Sequence, residues 1–138
     1  MSDPDAIDVV RRVMDCDNAR DATGYRALLH DDYRSFVHGK SSTTGPDEEV
    51  AAIQQWWTAM PDVHLEPLEM YESKGVVTLR YTLRGRNDGE FYGRSATGKP
   101  FEVENCTLLQ VDRGKVLRAW RYSDTLGLMT QLGLLPES

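Results

Sequence analysis

The stretch RAWRYSDTLGLMTQLG, residues 118–133, joins a predicted strand to a predicted helix, and the rest of the chain is interpreted outward from it. Its first part is an apolar and aromatic pattern that predicts a strand, and this pattern ends in an aspartate. Its last part places Leu126, Met129 and Leu132 at helical spacing. Asp124 stands at the junction, where a carboxylate can cap the helix, can do chemistry in a pocket, or can do both.

Upstream of this junction, three helices and one early strand come first, and a long meander of strands follows. Apolar periodicity predicts helices over residues 4–18, 25–30 and 46–60. Strands are predicted over residues 33–38, 63–73, 75–86, 100–112 and 115–123, and GKSSTTGP (residues 39–46) is predicted to be a loop. This segregation predicts an α+β fold, with helices covering one face of a curved antiparallel sheet, in a single domain spanning residues 1–138.

The composition excludes several classes of function. The 138 residues carry a net charge of −6, which disfavours nucleic acid and anionic membranes as partners. No apolar run is long enough for a transmembrane helix, and the acidic start of the chain does not resemble a signal peptide. For these two reasons we expect a cytoplasmic protein. The two cysteines lack metal-binding spacing, so we expect two free thiols and no metal.

The strand over residues 100–112 carries a polar group on its apolar face. Asn105 shares its parity with Phe101, Val103 and Leu109, so its amide is expected to point inward. A buried amide needs hydrogen-bond partners, which could be protein groups or a ligand. Asn105 is therefore a candidate catalytic residue.

The last strand suggests a setting for Asp124. Trp120 and Tyr122 share its parity, which predicts that the carboxylate lies against aromatic walls and that both rings contribute to substrate binding. Loss of hydration would raise the pKa of this carboxyl toward the range useful for general acid–base catalysis. On the helix over residues 46–60, Trp57 either packs in the core or stacks on a flat aromatic substrate.

Short motifs recur in a fixed order over about residues 5–135. They are Met60-Pro61-Asp62, then Gly85, Gly89 and Gly93, then Ala96-Thr97-Gly98, Arg113-Gly114-Lys115-Val116, Trp120 followed by Asp124, and Gln131-Leu132-Gly133. In this order and spacing the chain resembles the SnoaL-like polyketide cyclases of the nuclear transport factor 2-like superfamily.

The resemblance implies a cone-shaped α+β barrel with a deep cavity between the helices and the sheet. It implies an enzyme of antibiotic biosynthesis that closes a ring of a small aromatic polyketide by an aldol reaction, with Asp124 as general acid/base and no cofactor. It also implies a homo-oligomer, a dimer or a tetramer. The position of a family histidine in the first strand is occupied by Phe36, a candidate substrate-binding residue. His38 follows with the same parity and is a candidate catalytic residue that could polarise a substrate carbonyl or tune Asp124. Tyr33 opens the first strand and is a candidate substrate-binding residue that could donate a hydrogen bond into the cavity, as tyrosines do in ketosteroid isomerase-like sites.

Two alternatives stay open at this point. The first is a cofactor-independent hydroxylase of anthracycline-type polyketides on the same scaffold, in which the substrate carbanion reacts with oxygen. The second is a ligand-binding or dimerisation module without turnover.

Overall fold

The computed structural model describes residues 5–135, and its element order confirms the predicted α+β class. The helices are α1 (Ala6–Asn18), α2 (Ala22–Ala27), α3 (Pro46–Ala59) and α4 (Thr125–Leu132). The strands are β1 (Leu29–Val37), β2 (Lys40–Thr44), β3 (His64–Ser73), β4 (Val76–Arg86), β5 (Pro100–Asp112) and β6 (Lys115–Tyr122). Asp5 caps α1; the predicted start at residue 4 lies outside the described residues. None of the helices within residues 5–135 is both long and apolar enough to cross a membrane.

The six strands form one curved sheet that does not close on itself, in the order β2-β1-β6-β5-β4-β3. All neighbouring pairs are antiparallel except β1 and β6, which run parallel, so the sheet is not purely antiparallel as expected. Tight turns join the consecutive antiparallel strands β1–β2, β3–β4 and β5–β6. Each turn uses two residues of positive φ, such as His38 (φ 50°) with Gly39 (φ 82°), which matches the right-handed twist of the flanking strands.

The segment predicted to be a loop contains β2. Its hydrophilic sequence KSSTT lacks the apolar alternation by which strands are recognised, because four of its five residues are exposed at the sheet edge and only Thr43 is buried. Pairing with β1, rather than local preference, makes this segment a strand.

The predicted parity of β6 is wrong beyond its second residue. Val116 pairs with Val111 of β5, but Arg118 pairs with Gln110, so β6 holds one extra residue at this point. Such a bulge exchanges the two faces for the rest of the strand. As a result Arg121 points into the concave face of the sheet, whereas Trp120 points outward.

The helices cover the concave face in two apolar clusters. One cluster joins α1 to the middle of the sheet and contains Val9, Val13, Val77 and Leu109. The other joins the end of α3 and α4 to β5 and contains Met60, Val63, Phe101, Val103, Leu128 and Leu132. The space between the clusters is not filled by side chains, and this space is the candidate site.

Candidate active site

A cavity of about 620 Å³ opens between the concave face of the sheet and the helices α1, α3 and α4. This volume falls in the range of small-molecule sites, which are typically apolar with a few placed polar groups. Apolar and aromatic side chains provide most of the wall; among them are Val10, Met14, Ile53, Trp56, Leu79, Phe91 and Leu128. The polar groups that share this wall are therefore the candidates for binding and catalysis.

Asp124 and Asn105, two of the predicted site residues, are brought together at one side of this cavity. Both line the wall, and the Asp124 backbone N–H donates to Asn105 Oδ1 at 3.0 Å. Asn105 is 6% exposed and has the inward orientation predicted from its parity. Because Oδ1 is engaged by Asp124, the amide nitrogen of Asn105 is oriented as a donor, and no acceptor for it lies among residues 5–135.

Asp124 also caps α4. Its Oδ1 accepts a hydrogen bond from Gly127 N–H at 2.9 Å, and a side chain at position 127 would collide with the carboxylate. The residue is solvent-exposed although it lines the cavity, which places it at the mouth rather than in a sealed pocket. The expected dry setting against Trp120 and Tyr122 is therefore wrong, since neither ring lines the cavity. No donor to Oδ2 lies within the described part of the chain, so one oxygen is held by the cap and the other is free.

Four of the predicted site residues lie on the outer face of the sheet, away from the cavity. Phe36 of β1 stacks on Trp120 of β6 with ring centroids 6.1 Å apart, and the half-exposed Tyr122 lies beside His38 at 6.4 Å. Their position follows from the β6 bulge and from the parity of β1. His38 still contacts the loop that precedes Asp124, since Ser123 N–H donates to its Nε2 at 3.1 Å.

The expected homo-oligomer, a dimer or a tetramer, stays a prediction.

The other two predicted substrate-binding residues are not part of the cavity wall. Tyr33 is buried behind it, and burial raises the pKa of its hydroxyl to about 12. Trp57 turns away and donates its indole N–H to Asp17 Oδ1 at 2.8 Å. The neighbouring Trp56 lines the cavity instead and packs edge-on against Phe91, with ring centroids 5.0 Å apart.

The sequence analysis missed an ion pair between Glu49 of α3 and Arg121 of β6. Arg121 Nη2 donates to Glu49 Oε2 at 2.6 Å, and Glu49 is 2% exposed. The hydroxyls of Tyr25 and Thr43 donate to the same carboxylate at 2.9 and 2.8 Å. In the sequence, Glu49 looks like an ordinary acidic residue in the first turn of a helix, and the bulge conceals the orientation of Arg121.

The surroundings of Glu49 decide its ionisation. Burial alone would raise the pKa of this carboxyl, but the Arg121 guanidinium and the hydrogen bonds from Arg121, Thr43 and Tyr25 outweigh it, and the pKa lies below its ordinary value. Burial, and then the Glu49 charge, raise the pKa of Tyr25 well above its usual range. The pair is therefore ionised and the tyrosine neutral at neutral pH.

The depressed pKa of Glu49 predicts how stability responds to acid. Because the folded-state pKa lies below the unfolded value of about 4.3, ionised Glu49 stabilises the fold above that pH, and this contribution is lost as the pH falls through the folded-state pKa. Wild type is therefore expected to exceed Glu49→Gln in unfolding free energy at neutral pH, with the difference shrinking in acid. Urea unfolding over a pH series measures this. Glu48→Gln controls for charge, and a difference that grew on acidification would contradict the prediction.

A second missed group is Asp17, in the last turn of α1. It is 7% exposed and lines the cavity. Burial raises the pKa of its carboxyl, against the opposing effects of the Trp57 hydrogen bond and the Arg121 charge. The sequence did contain a signal, since Val10, Met14 and Asp17 lie at i, i+4 and i+7 on one helical face. A charged residue in an apolar helical stripe indicates a buried polar contact or a ligand-binding site.

Comparisons with known proteins agree with this architecture. Residues 7–132 match the profile of the SnoaL-like polyketide cyclases. The chain belongs to the SnoaL-like polyketide cyclase family. Within this family it is 29% identical over 131 residues to the aklanonic acid methyl ester cyclase DnrD of Streptomyces peucetius, covering 92% of this chain and 90% of DnrD. It is 30% identical over 131 residues to the cyclase AcmA of Streptomyces galilaeus, with the same coverage of both chains.

Solved structures share the fold of this family member. The structure of AclR from Streptomyces galilaeus, proposed to be a hydroxylase, superimposes with a TM-score of 0.86 and 23% identity, covering 98% of this chain and all of AclR. At that identity the likeness concerns the fold and not the reaction.

Within the described residues, no group of three His, Cys, Asp or Glu side chains could hold a metal ion.

Proposed function

We propose that this SnoaL-like protein is a cofactor-independent cyclase that closes a ring of an aromatic polyketide ester by an intramolecular aldol reaction, with Asp124 as general acid/base. The observation that carries the proposal is the pairing of Asp124 with Asn105 at the cavity wall. It places a carboxylate with a free oxygen beside an amide with a free N–H. These are the two groups that enolate formation next to a carbonyl requires.

The reaction follows from that pairing. Asp124 Oδ2 takes a proton from a carbon next to a carbonyl group of the substrate, and the electron pair of the broken C–H bond forms the enolate. The enolate carbon attacks a second carbonyl carbon of the same molecule, and the new C–C bond leaves an alkoxide. Asp124 returns its proton to that alkoxide, so the carboxylate is regenerated and the product is an isomer of the substrate.

The cavity wall supports a flat, largely apolar substrate. Trp56, Phe91 and Tyr81 present aromatic surface inside a volume of about 620 Å³. Burial of fused rings against such a wall supplies binding energy roughly in proportion to the area removed from water, about 25 cal/mol per Å². The extended π-system of such a substrate would itself stabilise the enolate, so few protein donors are needed.

The product mass tests the proposal directly. Aklanonic acid methyl ester, the substrate in the names of DnrD and AcmA, serves as the probe. Incubation with the protein is expected to give a product of unchanged mass with one more ring, detected by chromatography with mass spectrometry and NMR, without oxygen consumption. A product heavier by one oxygen atom would indicate the hydroxylase instead. Tight binding without any product would indicate a ligand-binding module.

Replacing Asn105 should damage catalysis more than folding. Asn105→Leu removes the donor that faces the reacting oxygen and the acceptor that holds the Asp124 backbone, and kcat is expected to fall by about 100-fold. Thr107→Val is the matched control, because Thr107 lies two residues along the same buried face but donates to Tyr81 at 3.3 Å. It should change kcat only severalfold. Equal losses in both variants would contradict a specific role for Asn105.

A further inference from the structure

Asp17 is a buried carboxylate that is only partly satisfied. Trp57 donates to its Oδ1 at 2.8 Å, whereas no donor to Oδ2 lies among residues 5–135. Every fully buried side-chain nitrogen or oxygen in that part of the chain has a hydrogen-bond partner. The unpartnered Oδ2 is therefore not sealed in the protein, and because Asp17 lines the cavity, this oxygen is open to it.

The electrostatic surroundings favour a neutral donor at this oxygen. Burial disfavours the charged form of Asp17 and raises its pKa, and the single indole donor does not replace the lost water. The Arg121 guanidinium and the Glu49 carboxylate line the same cavity and act on the pKa of Asp17 in opposite directions. The effect of the guanidinium is the larger, which disfavours a cationic ligand in this place. A hydroxyl group supplies a hydrogen-bond donor without adding a positive charge.

We infer that Asp17 is a substrate-binding residue whose Oδ2 accepts a hydrogen bond from a hydroxyl group on an aromatic ring of the ligand. This inference rests on the proposed function for the choice of an aromatic ligand, and it adds that the ligand must carry a ring hydroxyl. α1 carries Asp17, whereas Asp124 stands at the start of α4. The hydroxyl is thus recognised by a different residue from the one that carries the proton, and Asp17 orients the ring system without taking part in proton transfer.

Asp17→Asn separates this role from a structural one. The amide oxygen can still accept the Trp57 hydrogen bond, so the variant is expected to have the same unfolding midpoint as wild type. The amide nitrogen, however, takes the place of Oδ2 and converts an acceptor into a donor. Asp15→Asn is the control, because Asp15 is exposed on the same helix and its replacement removes the same charge.

Two small probes measure the preference by isothermal titration calorimetry at neutral pH. 2-Naphthol can donate a hydrogen bond, whereas 2-methoxynaphthalene can only accept one. Wild type and Asp15→Asn are expected to prefer 2-naphthol by about tenfold, since a hydrogen bond to a charged group stabilises binding by at least that factor. Asp17→Asn is expected to abolish the preference, because its amide can donate to either oxygen.

The outcomes distinguish this inference from the proposed function, since the assay needs no turnover. A preference that persists in Asp17→Asn, or no preference in wild type, or no binding of 2-naphthol to wild type, would overturn the role of Asp17 even if the protein cyclises a polyketide. Loss of the preference in Asp17→Asn alone would support it even if no cyclisation is found. A large drop in the unfolding midpoint of Asp17→Asn with an unchanged preference would show that Asp17 is structural.

Discussion

Asp124→Asn is expected to lower kcat for ring closure by about 10³-fold, within the range for loss of a general acid–base group. The amide cannot take a proton from carbon or return one to the alkoxide. Its oxygen can still accept the Gly127 N–H, and asparagine is as good a helix cap as aspartate, so α4 is expected to stay folded. Turnover and the urea unfolding midpoint, measured on the same preparation, separate chemistry from stability.

Asp21 offers a matched control for that substitution. It caps α2 as Asp124 caps α4, with its Oδ1 accepting from Gly24 N–H at 2.9 Å, but it does not line the cavity. Asp21→Asn therefore makes the same chemical change in the same local structure and should leave kcat near the wild-type value. Full activity in Asp124→Asn would exclude that residue as the acid/base. A similar loss in both variants would indicate a general effect on folding.

Arg121→Met is expected to destabilise the fold by about 3–5 kcal/mol, because it leaves the Glu49 carboxylate buried without a charge partner. The hydroxyls of Tyr25 and Thr43 can still donate to Glu49, but neither carries a positive charge. Replacing both members of the pair, as in Glu49→Leu with Arg121→Met, should recover part of the loss, since no unpaired charge then remains. Urea unfolding of the two single variants and the double variant measures these differences.

An exposed ion pair serves as the control for the buried one. Arg26 donates to Asp47 at 2.8 Å, but both side chains are more than half exposed. Water and salt screen such a pair, so Arg26→Met is expected to leave the unfolding free energy nearly unchanged. If Arg121→Met proved as mild as Arg26→Met, Glu49 would have to be compensated by something other than Arg121. The prediction would then be wrong.

Most of the fold could be predicted from the sequence because its elements are recorded in local patterns. The helical stripes and the five longer strands each satisfy a rule that acts over fewer than about twenty residues. The one strand that was missed, β2, is an edge strand of polar residues and forms because β1 lies beside it. Its pairing energy comes from a partner that local sequence does not reveal.

The candidate site, like the fold, could be predicted from the sequence only in part. By itself the sequence determined that Asn105 faces inward, that Asp124 stands where a strand meets a helix, and that the chain resembles a family of cyclases. Only the tertiary structure decided that Trp120 and Tyr122 face outward and that Arg121 meets Glu49. The reason is physical, since one extra residue in β6 reverses the side chains of the rest of that strand. A buried charge, moreover, is paired with a residue that is distant in the sequence, which local patterns do not reveal.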